Sequence, residues 1–169
     1  VQSEHIPFQL IILLGGNAPE TAKLFTRAIP MLENAFGPVR ASSAVYQSKA
    51  WGYDSTLPYL NSVLVFETRL QPTFCLTAVL EIEKLLGRVR SSGSRYSDRS
   101  IDIDLLFCGN QVVSHAALEI PHPRLHLRKF TLVPLAEVFP TFIHPVLNQS
   151  VAELLEKCPD VTDIKPVKL

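Results

Sequence analysis

The stretch Asp98-Arg99-Ser100-Ile101-Asp102-Ile103-Asp104-Leu105-Leu106-Phe107 alternates carboxylates with β-branched and apolar residues at a period of two. In a strand, that period sends Asp102 and Asp104 to one face and Ile101, Ile103, Leu105 and Phe107 to the other, toward the core. Same-face neighbours along a strand sit about 6.5 to 7 Å apart, so two ionised carboxylates there repel unless a cation lies between them. Magnesium suits such a pair, because it takes oxygen ligands and is commonly held by one or two carboxylates together with substrate phosphates. The alternative is a solvated strand face that carries two acids, since charges on exposed strands are common.

Working outward, a helical pattern of Leu76, Val79, Leu80, Ile82, Glu83 and Leu86 runs into Gly87, which reads as its stop. Arg88, Arg90, Arg95 and Arg99 then bracket the polar run Ser91-Ser92-Gly93-Ser94 and lead into the acidic strand. The guanidinium fork suits bidentate contact with phosphate, and arginines beside a metal-binding carboxylate pair are what a polyphosphate transfer site requires. Surface pairing of these arginines with Glu81, Glu83 and Asp98 is the alternative.

The rest of the chain alternates strand and helix. Leu10 to Leu14 reads as a buried strand ending at Gly15-Gly16-Asn17, and Pro19-Glu20 opens a helix to about Phe36 that Pro30 should kink or break. Arg40 to Gln47 and Leu60 to Thr68 read as strands joined by the turn-rich segment Ser48 to Pro58, and Pro72 starts the helix that ends at Gly87. After the acidic strand, Gly109-Asn110 reads as a hairpin turn into Gln111-Val112-Val113, and Leu118-Glu119-Ile120 as a short edge strand. Arg124 to Val138 reads as mostly helical with an interruption at Pro134, and Gln149-Ser150 precedes a last helix, Val151 to Lys157. The order strand, helix, strand, strand, helix, strand predicts an α+β, ferredoxin-like antiparallel sheet with helices on one face and the ligand site on the other.

Composition agrees with one domain over residues 1–169: 47% of the residues are hydrophobic and 19% charged, enough for a real core and cramped for two. Sixteen acids balance sixteen bases, so no global field draws in nucleic acid and the arginine cluster must act locally. Cys75, Cys108 and Cys158 are widely spaced and odd in number, as expected of reduced thiols in a cytoplasmic protein. The apolar run Leu10 to Leu14 is too short to span a bilayer, so no membrane association is expected.

Gly87-Arg88-Val89-Arg90, the block from Arg99 to Leu106 and Ile120-Pro121-His122-Pro123-Arg124-Leu125 together resemble the 6-hydroxymethyl-7,8-dihydropterin pyrophosphokinase family of folate synthesis. Tyr59-Leu60-Asn61 and Phe130 through Pro134-Leu135 add to the resemblance, which runs from Leu13 to about Cys158. It implies transfer of the terminal diphosphate of ATP to the pterin hydroxymethyl group, leaving AMP. It further implies two magnesium ions on Asp102 and Asp104, with Arg88 and Arg99 stabilising charge during transfer. On the ATP side it implies Glu83, Arg90, Arg95, His122, Pro123 and Arg128. On the pterin side Tyr59 and Phe130 match the aromatic positions that stack the ring, and Asn61 matches the residue that bonds its amide-like edge, with Ser48, Ala50 and Trp51 in the adjoining loop. ATP and the hydroxymethyl dihydropterin are the expected partners of a monomer. No P-loop or Gly-x-Gly-x-x-Gly fingerprint occurs, so metal and side chains must hold the phosphates. Ser48 to Pro58 and Gly87 to Asp98 are the expected lids against wasteful hydrolysis.

The sequence also departs from the family pattern. Lys49 and Ala50 stand where many relatives have prolines, Gly16 where they usually carry serine, and Tyr96-Ser97-Asp98 replaces Trp-Gly-Pro. Asp98 is thereby placed to compete with phosphate for Arg99. Three other readings compete: a transition-metal site on His115, His122 and His126, which Pro121 and Pro123 make a poor helical triplet; a ligand sensor on the same sheet without turnover; and an RNA-binding module, disfavoured by acids on the sheet face.

Overall fold

The structure is a computed structural model, which describes residues 6–88 and 99–169. Its centre is the apolar strand β1 (Phe8–Gly16), followed by α1 (Thr21–Phe36), the short strands β2 (Ala41–Ser42) and β3 (Val45–Ser48), β4 (Tyr59–Thr68), α2 (Pro72–Leu85) and β5 (Asp102–Cys108). A two-stranded ribbon of β6 (Val113–His115) and β7 (Leu118–Ile120) comes next. Then follow α3 (Lys129–Val138), α4 (Val151–Glu156) and β8 (Lys165–Val167). The strand order β5-β1-β4-β3-β8, antiparallel throughout, is that of a ferredoxin-like sheet extended by one strand at the β3 edge.

Continuous apolar sequence in β1 follows from burial on both faces. Leu10, Ile12 and Leu14 meet Leu24, Ala28 and Leu32 of α1 and Val79 and Ile82 of α2 in one cluster, while Ile11 and Leu13 join Leu132 and Leu135 of α3 and Val151 and Leu154 of α4 in another. The ferredoxin helices α1 and α2 thus share one face. The opposite face is divided, with α3 and α4 over part of it and the end bearing Asp102 left for a cleft.

Several local expectations are corrected. Phe107 does not share a face with Ile103 and Leu105: a bulge opposite Ile11 and Ile12 inserts an extra residue, so Leu106 and Phe107 both belong to the α3–α4 cluster. The segment from Arg40 to Gln47 divides into β2 and β3 at Ser43, whose hydroxyl accepts the Val63 N–H at 2.9 Å in place of a ladder bond. Gly109-Asn110 turns the chain without making a hairpin, because β6 pairs with β7 and not with β5. Residues Leu125–Leu127 form a 3-10 turn and α3 begins only at Lys129, then continues through Pro134. Helix α1 likewise continues through Pro30; Pro30 and Thr26, whose carbonyl loses its helical donor, are both exposed, where water supplies one. Strand β8 was not expected. Its Pro166 is tolerable because β8 is an edge strand.

Candidate active site

Asp102 and Asp104 emerge from β5 on the face opposite α1 and α2, because Ile101, Ile103 and Leu105 point into the cluster beneath those helices. Across the sheet Asp102 stands beside Gly15, which stands beside Asn61. Gly15 leaves the middle of that row bare, and a Cβ there would lie 3.3 Å from the Asn61 amide oxygen.

The end of α2 brings the next groups. Gly87, at φ +86°, closes the helix with its N–H on the Lys84 carbonyl and the Arg88 N–H on the Glu83 carbonyl, a Schellman turn that folds Arg88 back over Glu83. Glu83 is buried; its Oε1 accepts the Ile103 N–H at 2.8 Å and pairs with Arg88 Nη1. The same Nη1 lies 2.7 Å from Asp102 Oδ1, while Arg99 Nη1 lies 2.5 Å from Asp102 Oδ2. Both oxygens of Asp102 are therefore engaged by guanidinium groups. Burial pushes the Glu83 carboxyl above its usual range, against the Ile103 N–H and Arg88, which pull it down.

Asp104 differs sharply. Burial first, then the charge of Asp102, pushes its carboxyl up to about 7, with Arg128 and Arg88 only partly offsetting them. A carboxyl raised by burial beside a second carboxylate marks a place short of positive charge. The pair supplies oxygen donors only, the chemistry magnesium requires, with phosphates to complete the shell. Among the described residues no group of three or more His, Cys, Asp or Glu side chains is arranged to bind a metal.

The cleft in front of this pair, about 190 Å³, is lined by Asp102, Asp104, Arg99, His122, Arg128, Tyr59, Phe130 and Trp51 from among the sequence candidates. It is also lined by Lys49, Tyr53 and Arg124, to which the sequence reading gave no role. The Arg128 guanidinium lies 4.8 Å from the Trp51 ring centre and 5.6 Å from that of Phe130, a cation held over two aromatic faces. Tyr59 meets Tyr53 edge-on, their hydroxyls 2.6 Å apart. Burial, with Arg128 and Arg124 nearby, pushes His122 down to about 4, so at neutral pH it offers hydrogen bonding and no charge.

Other candidates stand behind or beside the cleft. Asn61 is buried beneath it, its amide nitrogen 3.4 Å from the hydroxyl of Ser48, which is buried too. Glu83 and Arg88 support Asp102 from the α2 side, and Ala50 is half-buried in the loop between Lys49 and Trp51. Pro123 lines a separate apolar cavity of about 270 Å³ with His122, His126 and His144. Arg90, Arg95 and Asp98 lie outside the described residues. Gly16, where relatives usually carry serine, is accounted for by space: a Cβ there would fall 2.6 Å from the Ser100 carbonyl oxygen. Arg124 was within reach of sequence reasoning, since it belongs to the Ile120 to Leu125 motif; Tyr53 sits in a patternless loop and left no signal.

The chain is similar in sequence and in fold to known proteins. The family model described as 7,8-dihydro-6-hydroxymethylpterin-pyrophosphokinase (HPPK) matches residues 11–140. The 2-amino-4-hydroxy-6-hydroxymethyldihydropteridine pyrophosphokinase of Aquifex aeolicus is 36% identical over 140 residues, covering 83% of this chain and 86% of the relative. That of Porphyromonas gingivalis is 37% identical over 134 residues, covering 78% and 90%. Among solved structures, Plasmodium falciparum HPPK-DHPS with pteroate superposes with a TM-score of 0.71 at 16% identity, over 93% of this chain and 43% of that longer one, a likeness of fold.

Proposed function

From the premise that this chain belongs to the 7,8-dihydro-6-hydroxymethylpterin-pyrophosphokinase family, we propose that Asp102 and Asp104 are its magnesium-binding carboxylates and that Arg88 and Arg99 stabilise charge during transfer. The reaction itself comes with the family: diphosphate passes from ATP to the hydroxymethyl group of 6-hydroxymethyl-7,8-dihydropterin, leaving AMP, in folate biosynthesis. The observation that carries the assignment is the pair Asp102 and Asp104 on one face of β5, both lining the cleft, with Arg88 and Arg99 on the two oxygens of Asp102. Two magnesium ions held there would supply charge neutralisation for the polyphosphate.

The remaining work falls to side chains. In the reaction the pterin hydroxyl oxygen forms a bond to the β-phosphorus, the bond from that phosphorus to the α-phosphate oxygen breaks, and AMP departs with the electron pair while the hydroxyl proton is released. Such transfer needs positioning and charge stabilisation more than a strong base. Arg99 lines the cleft beside Asp102, where its guanidinium fork would meet the phosphate oxygens of a nucleotide bound in front of the two carboxylates. Arg88, anchored by buried Glu83, keeps positive charge at the same place. Arg90, Arg95, His122, Pro123 and Arg128 complete the ATP side, His122 as a neutral hydrogen-bonding group. Tyr59, Phe130 and Trp51 cover the pterin faces, Asn61 and Ser48 meet its edge, and Ala50 lies in the loop beside them.

Incubation with ATP, magnesium and the hydroxymethyl dihydropterin, followed for AMP, tests the activity. Chelator tests the metal assignment: ATP binding should weaken strongly without unfolding, and undiminished binding would overturn it. No helix among the described residues is long and apolar enough to cross a membrane. The free thiols of Cys75, Cys108 and Cys158 support a cytoplasmic protein. The six-stranded sheet, with both apolar clusters packed on it, supports one domain, which we take to act as a monomer; sedimentation equilibrium checks the oligomeric state.

A further inference from the structure

Asn17, at the turn between β1 and α1, is almost wholly buried, yet the mechanism above leaves it without a role. It grips Arg99 twice. Its side-chain oxygen accepts the Arg99 N–H at 2.7 Å, and its own N–H donates to the Arg99 carbonyl at 2.8 Å. The neighbouring residues repeat the attachment: the Thr21 hydroxyl donates to the Ser100 carbonyl at 2.9 Å, and Gly16 lets that carbonyl come closer than any Cβ would allow. The Asn17 amide nitrogen turns the other way, to the Ser55 hydroxyl at 3.3 Å, in the loop between β3 and β4. That hydroxyl also accepts the Leu57 N–H at 3.2 Å, so Ser55 is seated in its own turn.

Helix capping does not explain this residue. Thr21 serves the start of α1, accepting the Ala18 N–H at 3.0 Å, and the side chain of Asn17 is directed to two other segments. One segment carries Arg99, whose guanidinium meets Asp102; the other carries Trp51 and Tyr53, which line the aromatic end of the cleft. An asparagine amide can do this because its oxygen accepts and its nitrogen donates in opposite directions.

We infer that Asn17 is a positioning residue that ties the pterin-side loop of residues 48–58 to Arg99, so that filling one half of the site favours filling the other. The inference rests on the assignment of Arg99 to the phosphates, and it specifies what holds that arginine and what informs it. Coupling of this kind is reciprocal, so it can be read as the factor by which one substrate tightens the other.

The test titrates 6-hydroxymethyl-7,8-dihydropterin into the protein with and without magnesium α,β-methylene ATP, which cannot release AMP. In Ser55→Ala, which removes the hydroxyl at the loop end of the tie and leaves the Asn17–Arg99 bonds in place, the tightening factor should fall by about threefold to tenfold, the range for one hydrogen bond, while nucleotide affinity alone stays unchanged. Asn17→Ala should lose the same coupling and in addition lower kcat by about tenfold with KM for ATP little changed, because the grip on Arg99 is also released. A wild-type factor of one, or a Ser55→Ala factor equal to that of the wild type, overturns the inference. Arg99→Ala with unchanged kcat would instead overturn the role of Arg99, a failure visible separately from the coupling factor.

Discussion

Asp102 has a guanidinium on each oxygen, one of them braced by buried Glu83, and every member of that group hangs from β5, the end of α2 or the residue held by Asn17. At the other end of the cleft, Trp51 and Tyr53 come from a loop and Phe130 from α3, held by ring contacts and one pair of hydroxyls. The phosphate half is thus set by charge and the frame of the sheet. The pterin half combines Tyr59 and Asn61 on the β4 ladder with aromatic side chains brought to them by a loop and by α3. Loss of a group in the first half should therefore strike kcat, and loss in the second should strike substrate affinity.

The largest effect belongs to the carboxylates. Asp102→Asn and Asp104→Asn should each lower kcat at least about 100-fold, the scale for removing a principal electrostatic contact to a transition state, while far-ultraviolet circular dichroism remains native. The core contacts belong to Ile101, Ile103 and Leu105, and these stay in place. Activity within tenfold of wild type in both variants would contradict the metal assignment. Arg99→Ala comes next: its kcat should fall much further than its affinities, and Arg99→Lys should recover only part of the rate because the charge returns without the fork. Poor ATP binding with normal turnover at saturation would make Arg99 a ground-state clamp and pass its role to Arg88.

Much of the geometry around the two carboxylates, which we assign to the phosphate half, was legible in sequence because it is written locally. The period of two in β5 put the carboxylates on one face, and Pro72 and Gly87 marked the ends of α2. Arg88 could be assigned to the site, but its partnership with Glu83 depends on the Schellman turn, and that with Asp102 on how α2 meets β5. What stayed hidden depends on distant pairing. The bulge that turns Phe107 over arises against β1, β8 exists only because β3 offers it an edge, and Asn17 reaches Arg99 across 82 positions. Tyr53 and Lys49 enter the cleft through a loop path that no periodicity encodes.

The aromatic half yields the third prediction. Tyr59→Ala and Phe130→Ala should weaken pterin binding by about tenfold or more, since an aromatic contact adds roughly 0.5 to 1.5 kcal/mol to the lost burial, and should leave ATP binding nearly unchanged. Isothermal titration with each ligand separately checks this. Equal losses for both ligands would mean that the two halves are not built independently.

The smallest effect is on the stability of the ligand-free protein, where two groups assigned to the phosphate half, Asp104 and His122, titrate in opposite senses. Asp104 is raised in the fold to about 7 from an ordinary 3.8, so between those values the native state holds a proton that the unfolded chain has lost. Its contribution is complete below pH 4 and disappears as pH rises through 7. His122 is lowered to about 4 from 6.5, so there the unfolded chain holds the extra proton; its contribution is complete above pH 6.5 and disappears as pH falls through 4. Between pH 4 and 6.5 these terms oppose one another, each with a slope of at most about 1.4 kcal/mol per pH unit. Asp104→Asn should remove the falling term and leave stability rising more steeply with pH than in wild type, whereas His122→Gln should leave it falling more steeply. Urea unfolding in chelator at pH 5 and 6.5 measures both, and identical pH slopes in wild type and Asp104→Asn would show that the Asp104 carboxyl is not raised in the fold.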